Sequence, residues 1–218
     1  MRDSFEGPAV IHVLLASSNQ GKLREFQQLA TGSGLNLELL PAFTAVPLFD
    51  ETAPTFAENA AGKALYYSQL TDQPVLADDS GLVVPGLGGA PGVHSARYAG
   101  PNATGADRIE KLLHEMRDLP EADRTGRFVC MIAMARRGRA LIIVSDFVDG
   151  RIVSNPCGND GFGYDPVFLL PALGRTMAEL SAEEKNKYSH RGRAFRKLRD
   201  ILLSAEVPPL FERPRIQF

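Results

Sequence analysis

The segment VIHVLLASSNQGKLREFQQLA, residues 10–30, contains the pattern that decides the fold. Its first part, Val10–Ala16, is a short apolar run with β-branched residues, which predicts a buried strand. A polar break follows, and Lys22–Ala30 then carries apolar residues at helical spacing, which predicts a helix. A strand, a short connection and a helix in this order are typical of an α/β protein.

The rest of the chain continues this alternation of strands and helices. The capping boxes Thr55-x-x-Glu58 and Ser181-x-x-Glu184 mark two helix starts. Further strands are predicted at Asn36–Leu40 and Pro74–Ala77, further helices at Asp107–Met116 and 195–202, and a β-hairpin at Arg127–Arg136 and Ala140–Val148. Because a hairpin adds antiparallel strands, we expect an α/β fold with a mixed β-sheet.

The composition narrows the class of protein. The 218 residues carry a net charge of −2, with 44% hydrophobic and 23% charged residues, which is ordinary for a globular chain. The longest apolar run, Val129–Ala135, is too short to span a membrane. Cys130 and Cys157 cannot build a disulfide framework, and the near-neutral charge argues against nucleic-acid binding. We therefore expect a cytoplasmic enzyme or small-molecule binder, with no nucleic-acid and no membrane partner.

Both ends of the chain are predicted to lie outside the folded unit. Residues 1–9 are polar, and three prolines in residues 207–218 prevent a continuing helix. We therefore expect 1–9 to be an N-terminal extension, 10–205 to be one domain and 206–218 to be a C-terminal tail.

The first polar loop is a candidate phosphate site. The first strand and helix are joined by Ser17-Ser18-Asn19-Gln20-Gly21-Lys22. Such a junction directs free backbone N–H groups and the positive end of a helix to one point, which suits a phosphate. Lys22 adds a positive charge, although the spacing is not that of a Walker loop. The alternative is a capped helix start with a solvated lysine.

A pair of carboxylates follows the strand predicted at 74–77. Asp78 and Asp79 are adjacent, so their side chains point to opposite sides of a strand, and we expect them to have different roles. Carboxylates at a strand end are suitable ligands for Mg²⁺, and Asp50 or Glu51 can supply a further oxygen. The alternative is an Asx-type turn closed by the following Ser and Gly.

Two later loops are rich in glycine. Gly86–Gly92 allows the backbone to approach a ligand closely, and Arg97 after it can bind a phosphate with two N–H groups. In Gly158–Pro166, Phe162 and Tyr164 offer flat faces on which a purine can stack. The alternatives are a flexible surface loop and an aromatic loop packed on the core.

Hydrogen-bond donors for an oxygen of a base or phosphate follow the last of these loops. They are Lys185, His190 and Arg191. Each loop alone is ambiguous. Together they supply cations, a metal-binding carboxylate pair, aromatic faces and further donors, which is the set of groups that a nucleoside triphosphate requires.

Seven ordered segments carry a resemblance to a known family. They are Ser17-x-Asn19-x-Gly21-Lys22-x-x-Glu25, Thr55-Phe56-x-Glu58-Asn59-Ala60-x-x-Lys63-Ala64, Ala77-Asp78-Asp79-Ser80-Gly81-Leu82, Leu87-Gly88-Gly89-Ala90-Pro91-Gly92, Ser95-Ala96-Arg97-Tyr98, Gly161-Phe162-Gly163-Tyr164-Asp165-Pro166 and Ser189-His190-Arg191-Gly192. In this order, over residues 10–203, they resemble the inosine/xanthosine triphosphate pyrophosphatase family.

The resemblance implies an activity and an architecture. Members of that family hydrolyse ITP, dITP and XTP to the monophosphate and pyrophosphate with Mg²⁺, usually as homodimers. It implies an α/β fold with a long mixed sheet flanked by helices, and a substrate cleft between two lobes. A related pyrophosphatase for modified pyrimidines or 7-methylated bases and a non-catalytic nucleotide sensor are the rival interpretations.

The resemblance also implies roles for individual residues. It assigns catalysis to Asp79. It assigns metal binding to Asp79, to which the residue pattern adds Asp78 and Glu51, and it leaves open whether Asp50 replaces Glu51. It assigns substrate binding to Ser17, Ser18, Asn19, Gln20, Gly21, Lys22, Ser80, Phe162, Gly163, Tyr164, Asp165, Lys185, His190 and Arg191, to which the residue pattern adds Arg97. Donors at His190, Arg191 or a backbone N–H would favour a base with an oxygen at C6 over adenine.

Overall fold

The structure, a computed structural model, describes residues 10–41 and 43–204. The proposed N-terminal extension and C-terminal tail lie outside the described residues, so these boundaries stay predictions. The strands are β1 (Ile11–Leu15), β2 (Leu35–Leu39), β3 (Val75–Val83), β4 (Thr125–Arg136), β5 (Arg139–Ile152), β6 (Phe168–Leu170) and β7 (Arg175–Thr176). The α-helices are α1 (Gln20–Ala30), α2 (Phe56–Tyr67), α3 (Gly105–Glu115), α4 (Ala182–Tyr188) and α5 (His190–Leu203).

The strands form one seven-stranded sheet in the order β2-β1-β3-β4-β5-β6-β7. Strand β1 runs parallel to β2 and β3, and every other neighbouring pair is antiparallel. The expected α/β fold with a mixed sheet is therefore confirmed. The expected hairpin is also present, because β4 and β5 pair along nearly their whole length.

Strand β3 is longer than predicted. It was expected to end at Ala77, but it continues to Val83 because β4 pairs with it throughout. Asp78 and Asp79 consequently lie in the middle of a strand, and the expectation of a strand end or an Asx turn at this point is wrong. Strand β1 accompanies β3 only at Val75 and Leu76. From Ala77 to Val83, no residue of β1 pairs with β3.

The predicted helix starts are capped as the sequence indicates. The Thr55 hydroxyl accepts a hydrogen bond from the Glu58 N–H at 3.2 Å, and α2 begins one residue later. At α4, Ser181 and Glu184 form a reciprocal capping box. Each such contact satisfies an N–H group that has no partner inside the helix.

The core lies on both faces of the sheet. On one face, α1 and α5 bury Phe26 and Phe195 against strand residues such as Leu76. On the other face, α2 buries Ala64 and Tyr67 against the small side chains of β1, β3 and β4. A third hydrophobic cluster, with Leu82, Leu112, Met116, Phe128 and Phe168, occupies the other end of the long strands. The cleft described below is lined by residues of the second and third of these clusters, such as Tyr67 and Phe128.

Within residues 10–41 and 43–204, no helix combines the length and the apolar composition needed to cross a lipid bilayer.

Candidate active site

A cleft of about 620 Å³ brings the distant polar segments together. The sequence-predicted residues that line it are Ser17, Ser18, Asn19, Lys22, Glu51, Asp79, Ser80, Arg97, Phe162, Gly163, Tyr164, Asp165, Lys185, His190 and Arg191. Asp50, the alternative to Glu51, also lines it. The residues therefore share one surface, and their individual roles stay predictions.

Three of the predicted site residues do not line the cleft. Gln20 is exposed at the first position of α1. Gly21 is buried beneath the ring of Phe162. The Asp78 side chain is only 1% exposed and faces a buried group of charges behind the cleft.

The loop at the start of α1 has features of both predicted alternatives, a phosphate-binding loop and a capped helix start. Asn19 caps the helix, because its side chain accepts a hydrogen bond from the Lys22 N–H at 3.1 Å. The Lys22 ammonium group is not simply solvated, since it lies 3.0 Å from a carboxylate oxygen of Asp78. The loop therefore presents a helix N-terminus and a positioned lysine to the cleft.

Asp78 is held ionised by its neighbours. Burial would raise the pKa of its carboxyl, but Lys22 and Arg191 outweigh burial and hold the pKa well below its ordinary value. The oxygen that faces Lys22 also accepts a hydrogen bond from the Ser80 hydroxyl at 3.1 Å and lies 3.6 Å from Arg191. Asp78 therefore connects the phosphate-loop lysine to the last helix.

Asp79 has the opposite environment. Its carboxyl is 4% exposed, and burial, Glu51 and Asp78 together raise its pKa to about 6 despite the nearby Lys22. One oxygen, Oδ1, accepts a hydrogen bond from the Ser80 N–H at 2.9 Å. The other, Oδ2, is buried without a hydrogen-bond partner among residues 10–41 and 43–204. The prediction that the two aspartates differ in role agrees with this contrast.

Lys63 on α2 is a cleft residue to which no role was assigned from the sequence. Its ammonium group contacts the Glu51 carboxylate and donates a hydrogen bond to the Asp78 carbonyl at 2.9 Å. It occurs in the segment Thr55–Ala64, which contributed to the resemblance. Arg97 reaches the same region, because it donates a hydrogen bond to the Glu51 carbonyl at 2.8 Å.

The donor set fits a divalent cation held by two carboxylates. Within the described part of the chain, no three His, Cys, Asp or Glu side chains converge to form a complete metal cluster. Asp79 Oδ2, however, is a buried oxygen with no partner, and Glu51 lies near enough to raise the Asp79 pKa. Mg²⁺ is commonly held by one or two carboxylates and completes its shell with water and substrate phosphates.

A second group of buried charges lies below the aromatic loop. The Lys185 ammonium group is 2.5 Å from Glu25 and 2.5 Å from Asp165, and Arg191 contacts the other oxygen of Glu25. Burial would raise the pKa of Glu25, but Arg191 and Lys185 outweigh it and lower the pKa. Glu25 ends the first of the seven segments that carry the resemblance, and the sequence predicted no role for it. The structure places it between two predicted substrate-binding residues.

Phe162 forms one wall of the cleft. Its ring packs so closely on Gly21 that a Cβ atom there would lie 2.6 Å from the ring. The Lys185 ammonium group and the Arg191 guanidinium lie 4.9 and 5.5 Å from the centre of the same ring. The Phe162 N–H donates a hydrogen bond to Asp165 at 2.7 Å, which fixes the loop.

His190 and Arg191 supply polar atoms without partners at the cleft. The His190 ring stacks on Phe128 with centroids 4.7 Å apart, and its Nδ1 has no hydrogen-bond partner. Burial and the nearby Arg191 and Lys185 lower the His190 pKa well below its ordinary value, so the imidazole is neutral. Arg191 Nε is likewise buried without an acceptor.

These features define a class of protein: an α/β protein whose cleft combines carboxylates that can hold a cation with aromatic rings and, among the described residues, a buried N–H donor without an acceptor. Residues 13–201 match the model of the Ham1 family, and the chain belongs to that family. It is 50% identical to the dITP/XTP pyrophosphatase of Geobacillus kaustophilus over 85% of this chain and 91% of that protein. The resemblance drawn from the seven segments is confirmed.

Solved structures agree with this assignment. A HAM1 protein from Coxiella burnetii superposes with a TM-score of 0.79 at 42% identity, covering 88% of this chain and 98% of that one. A nucleoside-triphosphatase, dITP/XTP pyrophosphatase, from Mycobacterium abscessus superposes with a TM-score of 0.67 at 38% identity, covering 86% and 97%.

Proposed function

We propose that this protein hydrolyses deaminated purine nucleoside triphosphates, namely ITP, dITP and XTP, to the monophosphate and pyrophosphate. The single observation that carries the proposal is the buried, unpartnered Oδ2 of Asp79 in a cleft that also holds Lys22 and unpartnered donors on α5. A buried carboxylate oxygen with no hydrogen-bond partner is costly in a folded protein, so its retention supports a ligand that binds it. The names of the relatives support the same substrate class.

Asp79 and Glu51 would hold Mg²⁺, which would draw charge from the phosphates as pyrophosphate leaves. The reaction needs a water molecule to attack the α-phosphorus while the β,γ-unit departs, so positioning and charge neutralisation dominate catalysis. Lys22 and Lys63 hold the phosphate chain. Asp78 is a poor base, because its pKa is lowered and its oxygen is engaged by Lys22. Its predicted role as a metal ligand is less favoured for the same reason.

Base selection follows from the polarity of Arg191. Its Nε–H can only donate a hydrogen bond, and it has no acceptor in the part of the chain that the structure describes. Inosine and xanthine carry an oxygen at C6, whereas adenine carries an amino group that would face another donor. A buried donor that meets a donor costs more than a lost apolar contact, so the discrimination is large.

The first prediction concerns the substrate panel. With Mg²⁺ and added inorganic pyrophosphatase, phosphate release from ITP, dITP and XTP should exceed release from ATP by a factor of about 100 or more in kcat/KM. Including GTP and dUTP separates the rival interpretations. Equal kcat/KM for ATP and ITP would contradict the selection argument, because adenine differs from these bases at C6. Preference for dUTP would favour the pyrimidine enzyme, and binding without turnover would favour the sensor.

The second prediction tests the contact between the phosphate loop and the aromatic wall. In Gly21→Ala, the new methyl group must displace the Phe162 ring, which lies 2.6–2.9 Å from the Cβ position. Misplacing a substrate-contacting ring should lower kcat/KM for ITP about 10- to 100-fold. Gly105→Ala is the matched control, since the nearest atoms to its Cβ are 3.8 Å away. Equal activity of the two variants would show that the ring does not contact substrate.

We also propose that the protein acts as a homodimer in the cytoplasm, as the resemblance implies. Ile143 and Phe147 support a protein interface, because both are exposed and project from the same face of β5. Sedimentation velocity of the full chain tests this, and a monomer at micromolar concentration would contradict it.

A further inference from the structure

Six lysine and arginine side chains of the described residues line the cleft, and four of them are paired with carboxylates. The four pairs are Lys22–Asp78, Lys63–Glu51, Lys185–Asp165 and Arg191–Glu25. The other two cations, Arg97 and Arg108, have only backbone carbonyl acceptors within residues 10–41 and 43–204. Neither guanidinium forms an ion pair with a carboxylate among the described residues, although the Asp107 carboxylate interacts electrostatically with Arg108.

Arg108 is fixed in position before any ligand binds. Its Nη1 donates hydrogen bonds to the carbonyl groups of Ala96, at 3.0 Å, and Ala103, at 2.8 Å. The side chain is half-buried, and its Nε and Nη2 groups have no acceptor among the described residues. A guanidinium held by one nitrogen and open at the others is arranged to bind an anion with its remaining donors.

The position of Arg108 in its helix is unfavourable for a purely structural residue. It lies in the first turn of α3, directly after the capping box formed by Thr104 and Asp107. Backbone N–H groups make that end of a helix positive, so a cation there opposes the helix dipole, and Asp107 in the same turn offsets part of this cost. An anion bound at this point would be attracted by both the guanidinium and the helix end.

Arg108 is connected to the cation site through the segment that contains Arg97. Ala96, whose carbonyl it binds, precedes Arg97, and Arg97 is bonded to the Glu51 carbonyl. Glu51 is one of the two carboxylates of the cation site, whereas the purine-facing donors lie on α5. We infer that Arg108 binds the β- and γ-phosphates, the part of the substrate that leaves as pyrophosphate. This inference rests on the proposed function for the identity of its ligand.

The test measures pyrophosphate and nucleotide binding separately. In Arg108→Ala, calorimetry should show that magnesium pyrophosphate binds about 10- to 100-fold more weakly, while IMP affinity changes less than about twofold. The kcat/KM for ITP should fall by a similar factor. Arg117→Ala is the matched control, because it removes the same charge just after α3 from an exposed side chain paired with Asp118. It should leave all three quantities within about twofold of the wild-type values.

Other outcomes overturn the inference. Unchanged pyrophosphate affinity in Arg108→Ala would exclude the contact. Equal weakening of pyrophosphate and IMP, with a lower Tm, would show that Arg108 only supports the loop that contains Ala96. Arg108→Lys should recover part of the pyrophosphate affinity, because it keeps the charge and loses the fork of donors. Pyrophosphate binding requires no turnover, so a wild-type protein that binds it and does not hydrolyse ITP would refute the proposed function alone.

Discussion

Asp79→Asn should lower kcat for ITP by a factor of about 1,000 or more and, at the same time, stabilise the metal-free protein at pH 8. We expect the loss of activity because the substitution removes the charge that is proposed to hold the cation. The gain in stability follows from the pKa, which burial and the neighbouring Glu51 and Asp78 raise from 3.8 to about 6. The folded protein therefore binds the Asp79 proton more tightly than the unfolded chain does.

The sign of the pH dependence is fixed by that shift. The stabilisation from the protonated carboxyl is fully present below pH 3.8 and is lost as the pH rises through about 6. At pH 8 the ionised carboxylate consequently destabilises the metal-free fold by about 1–3 kcal/mol, and asparagine removes this cost.

Urea unfolding in EDTA at pH 5 and pH 8 measures the difference in free energy of unfolding between Asp79→Asn and the wild type. The gain should be larger at pH 8. Asp149→Asn is the control, since Asp149 belongs to an exposed ion pair with Arg127. Near-normal kcat in Asp79→Asn would refute the catalytic role. A loss of stability at pH 8 would show instead that the carboxylate makes a stabilising contact.

Glu25→Gln should lower the free energy of unfolding by about 3–5 kcal/mol. Glu25 is buried and contacts both Lys185 and Arg191, so neutralising it leaves one positive charge uncompensated in the interior. The pKa of Glu25 is lowered, so the stability that it contributes is present above pH 4.5 and is lost on acidification through its folded pKa. The variant and the wild type should therefore converge in stability at low pH.

The same substitution should reduce kcat/KM more than it reduces the population of folded protein. Lys185 and Arg191 both line the cleft, and Glu25 holds them from behind. Urea unfolding combined with kinetics at a temperature where both proteins are folded separates the two effects. Asp149→Asn again serves as the exposed control, with an expected cost below about 1 kcal/mol. A cost below 1 kcal/mol for Glu25→Gln would show that the buried charges do not depend on one another.

Local pattern was sufficient for most of the elements. The capping residues Thr55 and Ser181 begin helices as predicted, because a cap satisfies N–H groups within a few residues of its own position. The hairpin of β4 and β5 is also local in sequence. The full length of β3 was not predictable, since Asp78-Asp79-Ser80-Gly81 has low strand propensity and is kept extended by pairing with β4.

The candidate site was predicted in part, for the same physical reason. Loops with unusual polar or glycine content, such as 17–22 and 158–166, are visible in one sequence. Lys63, Glu25 and Arg108 are single charged residues within helices, where the ordinary expectation is a solvated surface position. Lys63 and Glu25 form ion pairs with residues of the cleft, whereas Arg108 forms none among the described residues. These contacts can be seen only in the folded structure.

The ion pairs of Glu25 with Lys185 and Arg191 join positions 160 and 166 residues apart. During synthesis on a ribosome, Glu25 emerges long before Lys185 and Arg191. Its carboxylate therefore has neither of these ion-pair partners until nearly the whole chain has been made. The helix that supplies Arg191 also supplies Phe195, which closes the core over Phe26. A polypeptide interrupted before residue 190 would therefore lack the part of the core around Phe195 and the cleft residues of the last helix, and we expect such incomplete products to be inactive.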